Sequence, residues 1–357
     1  MTAQTAIWCA LAALAGLPLP AGAAAEDSPP FTGNEVRAIL AHGPWPGPAR
    51  TDPGNRVSGK PEAIEFGERL FFDARLSTGG KFSCGTCHVP ERNWTDNLTR
   101  GAAAAEVDRN TPTLMNVRLG RRFGWDGVTD SLWSQSMRPM LDARELGASA
   151  RHVAELVRKD DQLACRYRNS FGAPPPASDD EAVFEDVAKA VAAFQETFVS
   201  PTTPFDRFRD ALARGEPVTP WLYSEAAQRG LRIFIGKGNC DSCHGGPNFS
   251  NGELRDNGFS VYAAAGHADP GRDGAFKVPT LRHLLLTAPY GHHGELATLA
   301  DVVRHYSEAD PRRPARSPVA PKPLNLTPGE QSDLVVFLES LSTFSNPWRP
   351  TDVTSCR

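Results

Sequence analysis

The sequence lacks an excess of charge of either sign. Its 357 residues include 38 Lys and Arg against 42 Asp and Glu, which gives a formal net charge of -4. This balance disfavours nucleic-acid binding and a polybasic membrane anchor. Val, Ile and Thr are scattered rather than grouped, whereas the chain has 31 glycines and 31 prolines. We therefore predict a mainly α fold in two domains, with long loops and little sheet.

Long apolar runs are scarce as well. The run from Ala6 to Leu19 is shorter than the roughly 20 apolar residues that a membrane-spanning helix needs, and small residues follow it at Ala21, Ala23 and Ala25. This pattern predicts a secretory leader, residues 1–25, and therefore a periplasmic protein without a membrane anchor after cleavage. The leader departs from the usual pattern because no Lys or Arg precedes the apolar run.

Cysteine is sparse, but four of the seven cysteines are grouped. They form two C-x-x-C-H motifs, Cys84-Gly85-Thr86-Cys87-His88 and Cys240-Asp241-Ser242-Cys243-His244. This spacing is typical of c-type haem attachment, because two thiols one helical turn apart add to the haem vinyl groups and the next imidazole ligates the iron. We therefore predict two covalent haems. A zinc site or a thioredoxin-like redox pair is the alternative, and the His that directly follows each pair disfavours both.

The other cysteines are Cys9, which lies in the predicted leader, Cys165 and Cys356. The sequence leaves two alternatives open for the last two. They could form a disulfide in an oxidising compartment, or both could be unpaired buried thiols.

An internal repeat precedes the two motifs and indicates two tandem cytochrome c-type domains. Gly67 to Phe72 precedes the first motif, and Gly230 to Ile235 precedes the second in a similar helical pattern. A segment rich in Pro, Ser and Ala ends near Ser178, and apolar residues then recur at helical spacing at Val183, Val187, Val191 and Phe194. We predict an N-terminal domain over residues 26–178 and a C-terminal domain over residues 179–357.

Methionine is the rarest residue that bears on the haem chemistry. An electron-transfer haem needs a second axial ligand, usually Met or His, whereas a haem that reacts with peroxide needs a vacant face. The methionines are Met1, Met115, Met137 and Met140, so the second half of the chain has none. The candidates there for the second axial ligand are His267, His283, His292, His293, His305 and Tyr306.

Several separated segments together resemble the di-haem bacterial cytochrome c peroxidase and MauG family. They occur in the family's order over about residues 62–306 and are Arg109-Asn110-Thr111-Pro112-Thr113, Trp125-Asp126-Gly127, Val278-Pro279-Thr280-Leu281-Arg282 and Ala288-Pro289-Tyr290-Gly291-His292. Where the family's peroxidases place a Met ligand, fourteen residues after His292, this chain has Tyr306. The resemblance to MauG-like members, which have Tyr there, implies that Tyr306 ligates the second haem. A packed tyrosine with His305 as ligand is the alternative.

The same resemblance implies that the first haem, on His88, is open and binds peroxide. Glu145 would move the proton between the peroxide oxygens, Gln135 would orient the bound peroxide, and Pro139 would keep that face clear. Met137 or Met140 could ligate that haem instead. Trp125 would lie between the haems and relay an electron hole, and Trp94 could pack near the first haem.

A calcium ion is also implied by the resemblance. Asn110 would donate its side-chain oxygen, Thr287 and Pro289 would donate backbone carbonyls, and waters would fill the shell. Hard oxygen ligands with several waters suit Ca²⁺.

The resemblance implies a periplasmic enzyme that uses hydrogen peroxide to form a high-valent, bis-ferryl-like state and to oxidise residues of a partner protein. Residues 41–46 and 55–59 are similar to MbnH-like enzymes, which convert a tryptophan of a copper-binding partner to kynurenine. Two alternatives stay open. The chain could be a peroxidase that reduces peroxide with electrons from a small cytochrome or cupredoxin, or a non-catalytic di-haem electron carrier or sensor.

Overall fold

The computed structural model describes residues 31–48, 51–256, 258–259, 271, 274–308, 322–344, 348–351 and 356. The predicted leader, with Cys9, and the candidate ligand His267 lie outside these residues. Within them the protein is mainly helical, as predicted. The short antiparallel strands β1 (Leu254–Arg255) and β2 (Phe276–Lys277) pair with Leu254 opposite Lys277.

The α-helices of the described residues are numbered in chain order. They are α1 (Gly33–Leu40), α2 (Pro61–Phe71), α3 (Cys84–Cys87), α4 (Leu132–Leu141), α5 (Ala150–Lys159), α6 (Asp161–Phe171), α7 (Asp180–Gln195), α8 (Pro204–Ala213), α9 (Glu225–Ile235), α10 (Leu299–Ser307) and α11 (Pro328–Glu339). Short 3₁₀ helices cover Ala74–Leu76, Pro90–Arg92, Val117–Leu119, Cys240–Ser242 and Leu284–Leu286.

Two hydrophobic cores organise these helices. The first core is formed by the helices α2, α4, α5, α6 and α7, with Phe66 and Phe71 of α2 packed against Val187 and Phe194 of α7. The second core is formed by α1 and α8 to α11, with Phe234 of α9 against Phe337 of α11 at a ring-centroid distance of 4.9 Å. Each core contributes one C-x-x-C-H motif, so the two predicted haem sites belong to separate hydrophobic units.

The cores do not divide at residue 178, where the sequence analysis placed the domain boundary. Helix α7 forms with the predicted helical spacing, but Val183, Val187 and Val191 are fully buried in the first core. The chain enters the second core between Phe198 and Phe205. The N-terminal segment also crosses over, because Ile39 of α1 lies in the second core. Periodicity identifies an apolar helix face but not the core against which it packs.

The two glycines that begin the internal repeat mark equivalent helix crossings. A Cβ atom at Gly67 of α2 would clash with the carbonyl oxygen of Ala190 in α7, and one at Gly230 of α9 would clash with that of Asp333 in α11. Only a residue without a side chain permits this approach of two helix backbones. The repeat therefore corresponds to the same close approach of two helices at a glycine in both cores.

Gly67→Ala is expected to lower the free energy of unfolding by about 2–3 kcal/mol, because the added methyl group forces α2 away from α7 and overpacks the first core. Urea unfolding followed by far-ultraviolet circular dichroism measures the effect. The matched control is Gly329→Ala in α11, where a Cβ would meet no atom within 4 Å and the helix propensity of Ala is favourable. Equal stability of the two variants would contradict the crossing argument.

The C-terminal end returns to the first core. Cys165 of α6 and Cys356 form a disulfide with Cα atoms 6.0 Å apart, which resolves the alternative left open by the sequence. Trp348 packs against Trp94 at a ring-centroid distance of 5.4 Å, and the backbone N–H of Thr351 donates to Glu68. Among the described residues, no helix combines the length and apolar character required to span a bilayer.

Candidate functional site

The first C-x-x-C-H motif forms the single-turn helix α3, which places Cys84 and Cys87 one turn apart with no disulfide between them. His88 follows the helix directly, and its Nδ1 lies 2.9 Å from the carbonyl oxygen of Trp94. Donation from Nδ1 to a carbonyl leaves Nε2 with a lone pair for a metal and fixes the ring. Burial lowers the pKa of His88, which favours the neutral imidazole required of a ligand.

The second motif repeats this arrangement. Cys240–Ser242 form a 3₁₀ turn, and Nδ1 of His244 lies 3.0 Å from the carbonyl oxygen of Phe249. Burial lowers the pKa of His244 to about 4. In both motifs a pair of thiols and an oriented, neutral imidazole are therefore present, and this is the donor set that c-type haem requires.

A large cavity of about 1260 Å³ lies beside the first motif. Its wall contains Cys84, Cys87 and His88 together with the four residues predicted to act on peroxide, Trp125, Gln135, Pro139 and Glu145. Residues of the second half, such as Pro247 and Lys277, line the same cavity. A space of this size beside an oriented imidazole fits a haem and a small molecule on its far side.

The methionines near this cavity are arranged differently from what the sequence suggested. Met140 is fully buried in the first core and Met137 packs against it, and neither belongs to the cavity wall. Met115 does line the cavity. Sequence reasoning had no signal for Met115, because its position depends on the path of the loop from Thr111 to Asn116.

Glu145 is half-buried at the cavity wall. Burial raises the pKa of its carboxyl, and the charge of Asp142 raises it further, whereas Arg144 and Arg138 act in the opposite direction. A carboxyl with a raised pKa beside the place where peroxide would bind is suited to general acid–base catalysis.

Helix α4 positions Gln135 and Pro139. The side-chain oxygen of Gln135 accepts a hydrogen bond from the Thr129 hydroxyl at 2.9 Å, which leaves its amide N–H groups as donors. Pro139, within the same helix, has no backbone N–H to offer. Its carbonyl accepts from the backbone N–H of Leu146 at 3.1 Å, which ties the end of α4 to the segment that carries Glu145.

Trp125 connects the cavity with the second half of the chain. Its indole N–H donates to the carbonyl oxygen of Asn110 at 2.8 Å, and its own carbonyl accepts from the backbone N–H of Lys277 in β2 at 2.8 Å. The neighbouring Asp126 accepts from Arg109 at 2.8 Å. These contacts hold the indole at the junction of the two halves. Its position between two haems and its role as a relay stay predictions.

The segments predicted to bind calcium also come together. The backbone N–H of Asn110 donates to the carbonyl of His292 at 2.8 Å, and the side-chain amide of Asn97 donates to the carbonyls of Leu286 and Ala288 at 3.0 Å. Thr287 and Pro289 are the next residues in this turn. Calcium binding by Asn110, Thr287 and Pro289 stays a prediction.

Tyr306 and His305 are neighbours on α10. Residues 299, 303 and 306 follow helical spacing, which places Tyr306 on the side of α10 that carries the core residues Leu299 and Val303. Tyr306 itself is only partly buried, whereas His305 is buried. Phe259 contacts both rings, with His305 stacked at 4.3 Å and Tyr306 edge-on at 5.9 Å, and the two rings lie 5.1 Å apart. Ligation of the second haem by Tyr306, with His305 as the alternative, stays a prediction.

A buried ion pair that the sequence analysis missed supports the second motif. Arg282 forms two hydrogen bonds with Asp206 at 2.8 and 2.9 Å, and its Nε donates to the carbonyl of Pro247, just after the motif. The guanidinium lies 3.7 Å from the ring centroid of Trp45. His42, from the same N-terminal segment, stacks on Phe249 at 4.5 Å. Residues 41–46 therefore have a packing role beside the second motif.

Comparisons with known proteins agree with this geometry. A family model described as di-haem cytochrome c peroxidase matches residues 61–213. The chain is 36% identical over 291 residues to methylamine utilization protein MauG of Methylorubrum extorquens, an alignment that covers 79% of this chain and 78% of that protein. It is 31% identical over 296 residues to cytochrome c551 peroxidase of Nitrosomonas europaea, with 79% and 80% covered.

A solved structure is also similar. The crystal structure of a MauG-like protein associated with microbial copper homeostasis superposes with a TM-score of 0.69 and 28% sequence identity. The superposition covers 85% of this chain and 97% of that one. The likeness therefore extends over both cores and both motifs.

Proposed function

Because this chain belongs to the di-haem cytochrome c peroxidase and MauG family, we propose that it is a periplasmic, MauG-like enzyme that uses hydrogen peroxide to oxidise residues of a partner protein. It is a peroxidase-type oxidoreductase with two haems. We propose the MauG-like branch, the periplasmic location and the partner protein as substrate, in addition to this family membership.

The main support for the proposal is the lack of methionine in the second core. The chain has no methionine after Met140, so the thioether ligand typical of an electron-transfer haem cannot come from that core. Helical spacing places Tyr306 on the same side of α10 as Leu299 and Val303. A phenolate donor favours oxidised iron and lowers the reduction potential, which suits an enzyme that stores oxidising equivalents better than one that receives electrons from a carrier.

The cavity residues then have separate tasks. The first haem, when bound, supplies the iron at which the O–O bond of peroxide is cleaved. Glu145 accepts the proton from one peroxide oxygen and returns it to the other, which leaves as water. Gln135 donates a hydrogen bond that orients the peroxide, and Pro139 presents a face with no ligand atom. Trp125 lies between the cavity and β2 and can relay an electron from the second half of the chain.

We propose a tryptophan of a copper-binding protein as the oxidised residue. Two features support this choice: the likeness at 28% identity to the MauG-like protein associated with microbial copper homeostasis, and the segments 41–46 and 55–59 that are similar to MbnH-like enzymes. A Ca²⁺ ion held by Asn110, Thr287 and Pro289 belongs to the same proposal, because their segments adjoin where the two halves meet.

Peroxide added to the diferric holoenzyme tests the function. We expect optical and Mössbauer spectra to change at both haems, and a tryptophan-containing copper-binding partner to gain mass in proportion to the peroxide consumed. Rapid peroxide-dependent oxidation of reduced cytochrome c, with the partner unmodified, would instead identify a peroxidase. Two six-coordinate low-spin haems that do not respond to peroxide would identify an electron carrier or sensor.

A further inference from the structure

A cluster of metal-ligating side chains lies outside the two haem motifs. His292, His293 and Glu295 follow one another in a tight loop, closed by the backbone pairing of Tyr290 with Leu296. One ligand atom from each of the three side chains lies within 4.8 Å of the others.

The loop brings these side chains inward rather than to the surface. Gly291 and Gly294 have φ angles of 92° and 65°, a left-handed conformation that reverses the chain on each side of the histidines. The Glu295 carboxylate folds over Gly291, where a Cβ atom would collide with it. The side chains of His292 and Glu295 are 1% and 5% exposed, and His293 is 9% exposed.

Several polar atoms of this cluster are buried without a hydrogen bond. Nδ1 of His293 lies 2.5 Å from the carbonyl oxygen of Asp108, so it carries the proton and Nε2 keeps a lone pair. That Nε2 atom makes no hydrogen bond among the described residues. The Glu295 carboxylate makes no close side-chain hydrogen bond there either, and its Oε1 lies 3.5 Å from Nδ1 of His292. Leaving such groups uncompensated is costly, and a bound cation would remove that cost.

The cavity beside the first motif and the predicted calcium ion do not account for the cluster. The wall of the large cavity includes Trp125 and Asp108 but none of the three side chains. Calcium prefers a shell of oxygen atoms, whereas two of the three donors here are imidazoles, which suit first-row transition metals.

We propose that His292, His293 and Glu295 form a binding site for a divalent transition-metal ion of the Zn²⁺ type. Two imidazole nitrogens and one carboxylate are a donor set that zinc accepts, with water in the remaining position. Ligand atoms on one zinc ion are roughly 3.3 Å apart because each bond is about 2.0 Å long, so the side chains, now within 4.8 Å of one another, close by up to about 1.5 Å on binding. The hydrogen bond from His293 to Asp108 is the outer-shell contact that orients a ligating imidazole.

The proposed metal site lies where the two halves of the chain meet. The His292 ring stacks on Phe276 at 3.7 Å and lies 6.5 Å from the ring of Trp125. A bound ion would therefore fix the contact between the loop from Tyr290 to Leu296 and the segment that carries Asp108.

Zinc titration of the holoenzyme tests the site. The protein, with both haems covalently attached, is treated with EDTA and then titrated with Zn²⁺, and zinc, calcium and iron are counted by mass spectrometry. We expect one zinc per chain beside two irons, and zinc-edge X-ray absorption should show nitrogen and oxygen neighbours at about 2.0–2.1 Å. Retention of zinc against millimolar Ca²⁺ is expected. Absence of stoichiometric zinc, or its displacement by Ca²⁺, would overturn the proposal.

Variants identify the ligands. His293→Gln and Glu295→Gln should each weaken zinc binding by at least about 10-fold. The control is His152→Gln, because His152 is partly exposed in α5 and bonds to the carbonyl of Arg75, and it should bind zinc as the parent does. The haem absorption spectrum and circular dichroism check that each variant is folded. Parent-like zinc affinity in folded His293→Gln and Glu295→Gln would also refute the site.

Discussion

Glu145→Gln is expected to slow the reaction with hydrogen peroxide by about 10²–10⁴-fold, with both haems still attached. The amide has the size of the carboxyl group but cannot accept the proton from one peroxide oxygen and return it to the other. Stopped-flow absorption after mixing the diferric protein with peroxide measures the rate. Glu155→Gln is the control, because Glu155 is a partly exposed residue of α5 that pairs with Arg151 and Lys159 and does not line the cavity, and it should react at the parent rate.

The pH profile separates this role from a merely structural one. Burial raises the pKa of Glu145 above its usual value, so the carboxylate that accepts the proton is lost at a higher pH than for an exposed glutamate. The rate of the parent protein should therefore fall as the pH is lowered through this raised pKa. The rate of Glu145→Gln should not show this fall. A variant with the parent rate and the parent pH profile would remove Glu145 from the mechanism.

The haem motifs could be predicted from local spacing, whereas the cavity residues came from the resemblance to the family; the structure places them at one wall, and their roles stay predictions. C-x-x-C-H is a local unit, and the structure orients His88 and His244 by the same contact to a backbone carbonyl. Gln135, Pro139 and Glu145 are separated by few residues around α4, so the helix geometry that brings them to one wall is short-range.

The assignment of α7 and of the N-terminal segment could not be predicted in this way. The spacing of Val183, Val187 and Val191 shows that one face of a helix is buried, but both cores offer apolar surfaces. The choice depends on the close approach of α7 to Gly67, a contact between residues more than a hundred positions apart. The same limit applies to Trp45, whose partner Arg282 is distant in sequence.

The histidine-rich loop shows a further limit of sequence reasoning. From the sequence, His292 and His293 are candidates only for the second axial ligand of a haem. Their shared burial with Glu295 depends on left-handed glycines at positions 291 and 294. Without the backbone conformation, adjacent histidines point in no defined common direction.

The division of labour between the two haems depends on which residue of α10 faces the second motif. Helical spacing places Tyr306 on the side of that helix that carries Leu299 and Val303. His305 is more deeply buried, and Phe259 contacts both rings, at 4.3 Å for His305 and 5.9 Å for Tyr306. The phenol is the ligand that the family resemblance implies, and substitution of each residue separates the two alternatives.

Tyr306→Met should therefore raise the reduction potential of the second haem by a few hundred millivolts, within the range of about 0.8 V that axial ligands span. A neutral thioether stabilises ferrous iron, whereas a phenolate stabilises ferric iron. Spectroelectrochemical titration measures the potential. The same variant should lose oxidation of the partner protein and gain peroxide-dependent turnover of reduced cytochrome c, because the second haem would then accept electrons readily.

His305→Gln is the matched control on the same helix, and it should leave the potential of the second haem unchanged because, in the proposal, the imidazole is not an axial ligand. If His305→Gln shifts the potential and Tyr306→Met does not, the imidazole is the ligand. The second haem would then be a nitrogen-ligated electron-transfer centre. No phenolate would then support the oxidation of a partner protein, whereas the peroxide chemistry predicted for Glu145 would stand, because that residue acts at the other haem.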